Sequence, residues 1–244
     1  MKRQIFLIKG HSNNDVEFNV ATEYMNYYSG YFKSLAGGVF EDDEICILKD
    51  PKVEELKFLI DEMKPDYAII VLIGHGATQE DFQLFQINVN EVIRAGQMQL
   101  EIKKQLIILE SCRVEIEKIS TVDLTAKTPN YREGGKLRML IEKKQAKQRY
   151  IERLIECHDG VVVCFACRKG ESAWNYYFSQ YLIQTSFNWH ADRNNKQEIL
   201  SITTLMNIIS QNLPKLINER INVDQNPEIL GNVDYPFAIS KFQI

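Results

Sequence analysis

Two residues supply most of the reactive chemistry in this chain. His75 stands in Gly74-His75-Gly76, directly after the apolar run 67–73 (YAIIVLI). Cys112 stands in Glu110-Ser111-Cys112-Arg113, directly after the apolar run 106–109 (LIIL). A free thiol ionises near pH ~8.5 and is only partly thiolate at neutral pH. A neighbouring imidazole can hold it as thiolate or take its proton, then return that proton to a leaving amine. The candidate catalytic pair is therefore His75 and Cys112. Gly74 and Gly76 would let a peptide backbone approach closely. The N–H groups of Gly76 and Cys112 are the candidate oxyanion donors. Cys167 follows a third apolar run, 161–166 (VVVCFA), and is a candidate for the rim of the same site.

For these residues to meet, their runs must be neighbouring strands. Continuous apolar runs of this length read as strands covered on both faces of a parallel sheet. Ligands of such sheets bind outside the carboxyl ends of the strands, which is where His75, Cys112 and Cys167 fall. A first strand is expected at 5–8 and a second at 44–48. Helices are expected at 15–35, capped by Asp15, and from Asp50-Pro51 to Pro65. Further helices are expected at 89–100, 136–157, 171–183 and 199–216. A short strand at 84–85 and a final edge strand at 237–242 complete the pattern. The fold class is α/β, a mostly parallel central sheet flanked by helices. No composition break divides the chain, so 1–244 reads as one domain with a loop and basic helical insertion around 113–157. Within it, 114–135 reads as a loop at the rim of the cleft, ending in Gly134-Gly135. Lys118, Lys127, Arg132 and Lys136 are available there for self-cleavage.

Other clusters carry less. Cys157-His158, Cys164 and Cys167 resemble a metal-ligand spacing. However, Cys164 lies within an apolar strand whose residues alternate between faces, so no metal is expected. No glycine-rich phosphate loop with Lys-Ser/Thr is present, and no cofactor is expected. The 244 residues carry 29 basic and 33 acidic side chains, a net charge of -4. That gives no general support to nucleic-acid binding. The excess of basic residues over 132–149 reads as a solvated helix face. No apolar run approaches the roughly 18 residues of a membrane span. An odd number of cysteines, five, and a start that reads as a strand rather than a signal peptide favour a cytoplasmic setting.

The order of motifs resembles the caspase-like cysteine peptidases, a group that includes caspases, metacaspases and bacterial relatives. The likeness rests on YAIIVLIGHGA (67–77) and LIILESCR (106–113), and extends through 161–173 to the end of the chain. It implies peptide-bond hydrolysis through an acyl-enzyme, with Cys112 as nucleophile and His75 as base and acid. It also implies a protein or peptide substrate, a separate activating sensor, and a defence or cell-death role. The chain departs from true caspases, which carry Gln-Ala-Cys-Arg-Gly at the nucleophile and an Arg in the first loop. The first loop here is Gly10-His11-Ser12-Asn13-Asn14-Asp15, without Arg. The acidic residue two before the cysteine is more like metacaspases. The likeness therefore places Asp15, Glu110 and Cys167 in the substrate pocket and implies cleavage after Arg or Lys. Two alternatives stand beside this reading: a caspase-fold binding or regulatory protein with a silent site, and a cysteine-dependent acyl hydrolase or transferase of another class.

Overall fold

The computed structural model describes residues 1–94, 101–114, 136–174 and 176–241. Its centre is a six-stranded sheet in the order β10-β8-β7-β3-β1-β2. The strands are β1 (Arg3–Lys9), β2 (Ile45–Lys49), β3 (Tyr67–Ile73), β7 (Lys104–Glu110), β8 (Gly160–Phe165) and β10 (Glu228–Gly231). All neighbours pair in parallel except β10, which runs antiparallel to β8. Strands β1, β3 and β7 are buried along their whole length, as expected of strands covered on both faces.

Side-chain alternation assigns each residue to a face. Ile69, Val71, Leu106 and Ile108 enter one core, shared with α1 (Asp15–Lys33), α3 (Lys136–Glu156), α4 (Tyr177–Ala191) and α5 (Ile202–Ile221). Ile70, Leu72, Ile107 and Leu109 enter the other. That core is closed by α2 (Val53–Met63) and by a hairpin sheet of β4 (Gly76–Gln79), β5 (Phe82–Gln86) and β6 (Val92–Arg94). The aromatic stretch of α1 is explained by packing: Tyr24, Tyr28, Tyr31 and Phe32 are fully buried.

Several expectations need correction. The cap of α1 is Asn14, which accepts the Glu17 N–H, and not Asp15. Asp50 does not cap α2; it takes a positive φ of 47° and pairs with Lys9 at 2.7 Å. The described part of 89–100 is no helix. Asn88 accepts the Asn90 N–H in a local turn, an alternative that Asn side chains offer against helix, and Val92–Arg94 pairs with β5. Helix α4 begins at Tyr177, so 171–174 is irregular chain. The segment expected to be one helix from 199 starts as strand β9 (Ile199–Ser201) before α5. The last strand, β11 (Pro236–Ile239), pairs with β9 in a separate two-stranded sheet, and the main sheet's edge is β10 instead. The loop expected over 114–135 lies, from 115 on, outside the described residues.

Candidate active site

Strands β3 and β7 are adjacent and in register, with Ile73 opposite Glu110. Their carboxyl ends therefore release the His75 and Cys112 segments side by side. The two segments touch. A methyl group at Gly76 would lie 2.7 Å from Ser111 Oγ and 2.8 Å from the Cys112 carbonyl oxygen. Only glycine permits that approach. Hydrogen bonds tie the same segments together: Gly74 N–H donates to the Glu110 carbonyl at 3.2 Å, and Thr78 N–H to the Val114 carbonyl at 2.8 Å. The side chain of Gln83, on β5, donates to the Cys112 carbonyl at 3.0 Å.

His75 is partly exposed. Its Nε2 lies 3.0 Å from Glu17 Oε2 and 2.9 Å from Asn13 Nδ2. Both partners come from the β1–α1 junction on the far side of β3. The Cys112 thiol is half-buried against the 171–174 segment, with its Sγ 3.8 Å from the Ala173 carbonyl oxygen. Burial pushes its ionisation up, partly offset by hydrogen bonding to Ala173 and Ser172. In this resting arrangement the hydrogen bonds of the two side chains run to different partners.

Glu110 ends β7 and, by alternation, faces the core of α1 and α4. Its Oε2 accepts the Ser179 N–H at 2.8 Å and the Ser179 hydroxyl. It thus caps α4 from outside, where Tyr176 provides no side-chain cap. Its other oxygen, Oε1, is buried without a hydrogen-bond partner among the described residues. Burial pushes the Glu110 carboxyl up to about 7, against the two Ser179 hydrogen bonds. Tyr24, Tyr28 and Tyr176 lie close enough to feel its charge. The rings of Tyr24 and Tyr176 stack with centroids 4.5 Å apart.

The family model described as "Caspase domain" matches residues 13–234. The chain belongs to the caspase domain family. No curated protein matches it at a significant level. Among solved structures, the Drosophila initiator caspase Dronc shares the fold with a TM-score of 0.52 at 10% identity, covering 94% of this chain and 79% of that one. Family membership makes this a caspase-like cysteine peptidase. At such low identity the structural likeness carries the fold and not the details of the site.

Within this caspase domain the expected site residues divide. His75, Gly76, Cys112 and Cys167 share one sheet edge. Cys167 is buried, its Sγ 3.7 Å from the Ser111 carbonyl and 3.3 Å from the Glu171 carbonyl. Burial pushes its thiol far up, so it forms part of the support beneath the Cys112 segment. Asp15 is exposed and lines a cavity of about 780 Å³ with Lys9, Asn13, Phe18, Asp50 and Glu91, a lining that does not include His75 or Cys112. The acidic residue of α1 that reaches His75 is Glu17, two residues further on. Sequence reasoning missed Glu17 and Asn13; the signal available was an acidic residue in the first turn of the helix after the first strand. Arg113 does not neutralise Glu110. It points to the other face, pairs with Glu228 at 2.6 Å and stacks 4.1 Å over Phe165. Among the described residues no group of three His, Cys, Asp or Glu side chains is placed to hold a metal ion, and no helix is long and apolar enough to cross a membrane.

Two expected outcomes follow from this geometry. Gly76→Ala places a methyl against the Cys112 backbone. It should cut peptidase kcat/KM by at least about tenfold while costing about 1–3 kcal/mol of stability, as overpacking does. Steady-state kinetics and thermal unfolding check both. Glu110→Gln should change how stability depends on pH. A carboxyl whose ionisation is raised on folding lets the folded state hold a proton that the unfolded state releases. Stability therefore falls as pH rises from the ordinary value of 4.5 through about 7. The variant should lack that fall and be more stable than the parent above about pH 7, by up to about 3 kcal/mol. Denaturant midpoints at acid and mildly alkaline pH read the difference.

Proposed function

We propose that this caspase domain is an endopeptidase that uses Cys112 and His75 and cleaves after Arg or Lys. The observation that carries the dyad is the contact of Gly76 with Ser111 and Cys112, which joins the two segments at neighbouring strand ends. The Cys112 thiol gives its proton to His75 and attacks the scissile carbonyl carbon. The carbonyl oxygen becomes an oxyanion facing the N–H groups of Gly76 and Cys112. His75 then protonates the leaving amine as the C–N bond breaks, leaving a thioester. His75 takes a proton from water, the hydroxide attacks the thioester carbonyl, the C–S bond breaks to release the acid, and His75 returns the proton to the Cys112 sulfur.

The basic preference is supported by Glu110. Among the described residues its Oε1 has no hydrogen-bond partner and its carboxyl no paired cation, since Arg113 is engaged with Glu228. A buried carboxylate of this kind is costly unless paired. A substrate guanidinium would pair with it and draw off the proton that burial retains. Entry requires Tyr176 to leave its stack on Tyr24. Tyr176 sits at a positive φ of 54°, a conformation that costs a non-glycine residue about 1–3 kcal/mol.

The thiol rests on the Ala173 carbonyl, so the 171–174 segment must withdraw before attack. This supports activation by a separate partner, in keeping with the defence or cell-death role that the resemblance implies. A thiol-reactive peptide probe with Arg next to the reactive group tests the reading. Labelling at Cys112, located by mass spectrometry and blocked by a competing Arg peptide, is the expected result. Labelling at Cys46 or Cys157 alone would overturn it.

A further inference from the structure

The Glu17 carboxylate is the meeting point of three donors. The Asn13 backbone N–H donates to its Oε2 at 2.9 Å. His75 Nε2 stands 3.0 Å from the same oxygen. The Asn13 side-chain amide also bonds to the carboxylate. Burial raises the Glu17 carboxyl, but these hydrogen bonds and the nearby imidazole outweigh it and hold the group below its ordinary range. Glu17 is therefore an anion at working pH and can only accept. An imidazole lone pair facing it at 3.0 Å would be repelled, so Nε2 carries the proton. Asn13 Nδ2, 2.9 Å from Nε2, is also a donor and cannot accept that proton, so the two nitrogens meet donor to donor and the Glu17 oxygen is the acceptor of the Nε2–H.

We propose that Glu17 is a positioning residue that holds His75 as the Nε2–H tautomer and leaves Nδ1 to exchange the proton with Cys112. This rests on the assignment of Cys112 and His75 as the reacting pair. When the thiol passes its proton to Nδ1, the imidazolium formed lies against the Glu17 charge, which stabilises the thiolate–imidazolium state. The other titratable groups around the pair are Glu110, Cys167 and Tyr176. None of these makes a hydrogen bond to the imidazole, so Glu17 is its acidic partner among the described residues.

Glu17 also caps α1, because its side chain reaches back to the Asn13 N–H, and the test must separate the two roles. Gln is accepted at this position of a capped helix. Glu17→Gln should therefore leave thermal stability within about 0.5 kcal/mol while removing the charge. The readout is the rate of Cys112 alkylation by iodoacetamide across pH, which needs no peptide substrate. Near neutral pH the rate should fall about tenfold in Glu17→Gln, and in strongly alkaline solution, where any thiol is ionised, it should match the parent. With an Arg peptide, the alkaline limb of kcat/KM should move to lower pH. An unchanged alkylation profile in Glu17→Gln, when His75→Ala alters it, would show that Glu17 only caps the helix. A profile unaffected by His75→Ala would instead overturn the assignment of the pair.

Discussion

Replacing Cys112 by alanine should abolish peptide turnover and covalent probe labelling while leaving the fold intact. In the proposed mechanism the Cys112 sulfur is the attacking atom. Cys167, the nearest other thiol, is buried under the Ser111 and Glu171 carbonyls with its ionisation pushed far up. The loss should exceed about 10⁵-fold in kcat, of the order seen when a catalytic nucleophile is removed. His75→Ala should lower kcat by about 10²–10⁴-fold, the usual contribution of a general acid–base group. The two changes together should cost little more than Cys112→Ala alone, because they act as one unit. Circular dichroism and melting of each variant show that the sheet edge survives. Normal hydrolysis by purified Cys112→Ala would overturn the assignment.

Cleavage after Arg should exceed cleavage after Asp by at least about a hundredfold in kcat/KM, since a site built for one charge leaves its own buried group unpaired with the other. The physical source is Glu110. An Asp side chain in its place of contact would meet like charge, and an Arg would find an oxygen that has no partner among the described residues. The preference should strengthen as pH rises through about 7, where the Glu110 carboxyl loses its proton. Glu110→Gln should reduce turnover of an Arg peptide far more than that of the matching Gln peptide. Equal losses for both would make Glu110 a helix cap and nothing more. Efficient cleavage after Asp by the unmodified protein would end the proposal. A peptide-library digest followed by paired single-substrate kinetics provides all three readings.

Much of this site could be read before any coordinates. The runs 67–73 and 106–109 are apolar without interruption, and only strands covered on both faces bury every residue in such a run. Their ends necessarily deliver His75 and Cys112 to the same edge once the strands are neighbours. The alternation of faces also puts Glu110 on a definite side of the sheet. Local signals failed where polar side chains or distant partners decide. Asn88 and Asn90 turned an expected helix into a hairpin edge, and β9 and β11 exist only because each supplies the other's ladder.

The amino-acid sequence by itself determined the α/β class, the buried central strands and the strand-end positions of His75 and Cys112, because hydrophobic periodicity and position along a strand are local properties. Only the tertiary structure decided where the carboxylates stand. Asp15 and Glu17 are two residues apart on α1, yet one lines a cavity beside Lys9 and Asp50 and the other meets His75. A helix turns about 100° per residue, so such a choice depends on how the helix is docked. Likewise Arg113 could have paired with Glu110; the irregular chain that follows the strand carries it to Glu228 instead. Burial, hydrogen-bond partners and the direction of each titration follow from that packing, which no local pattern encodes.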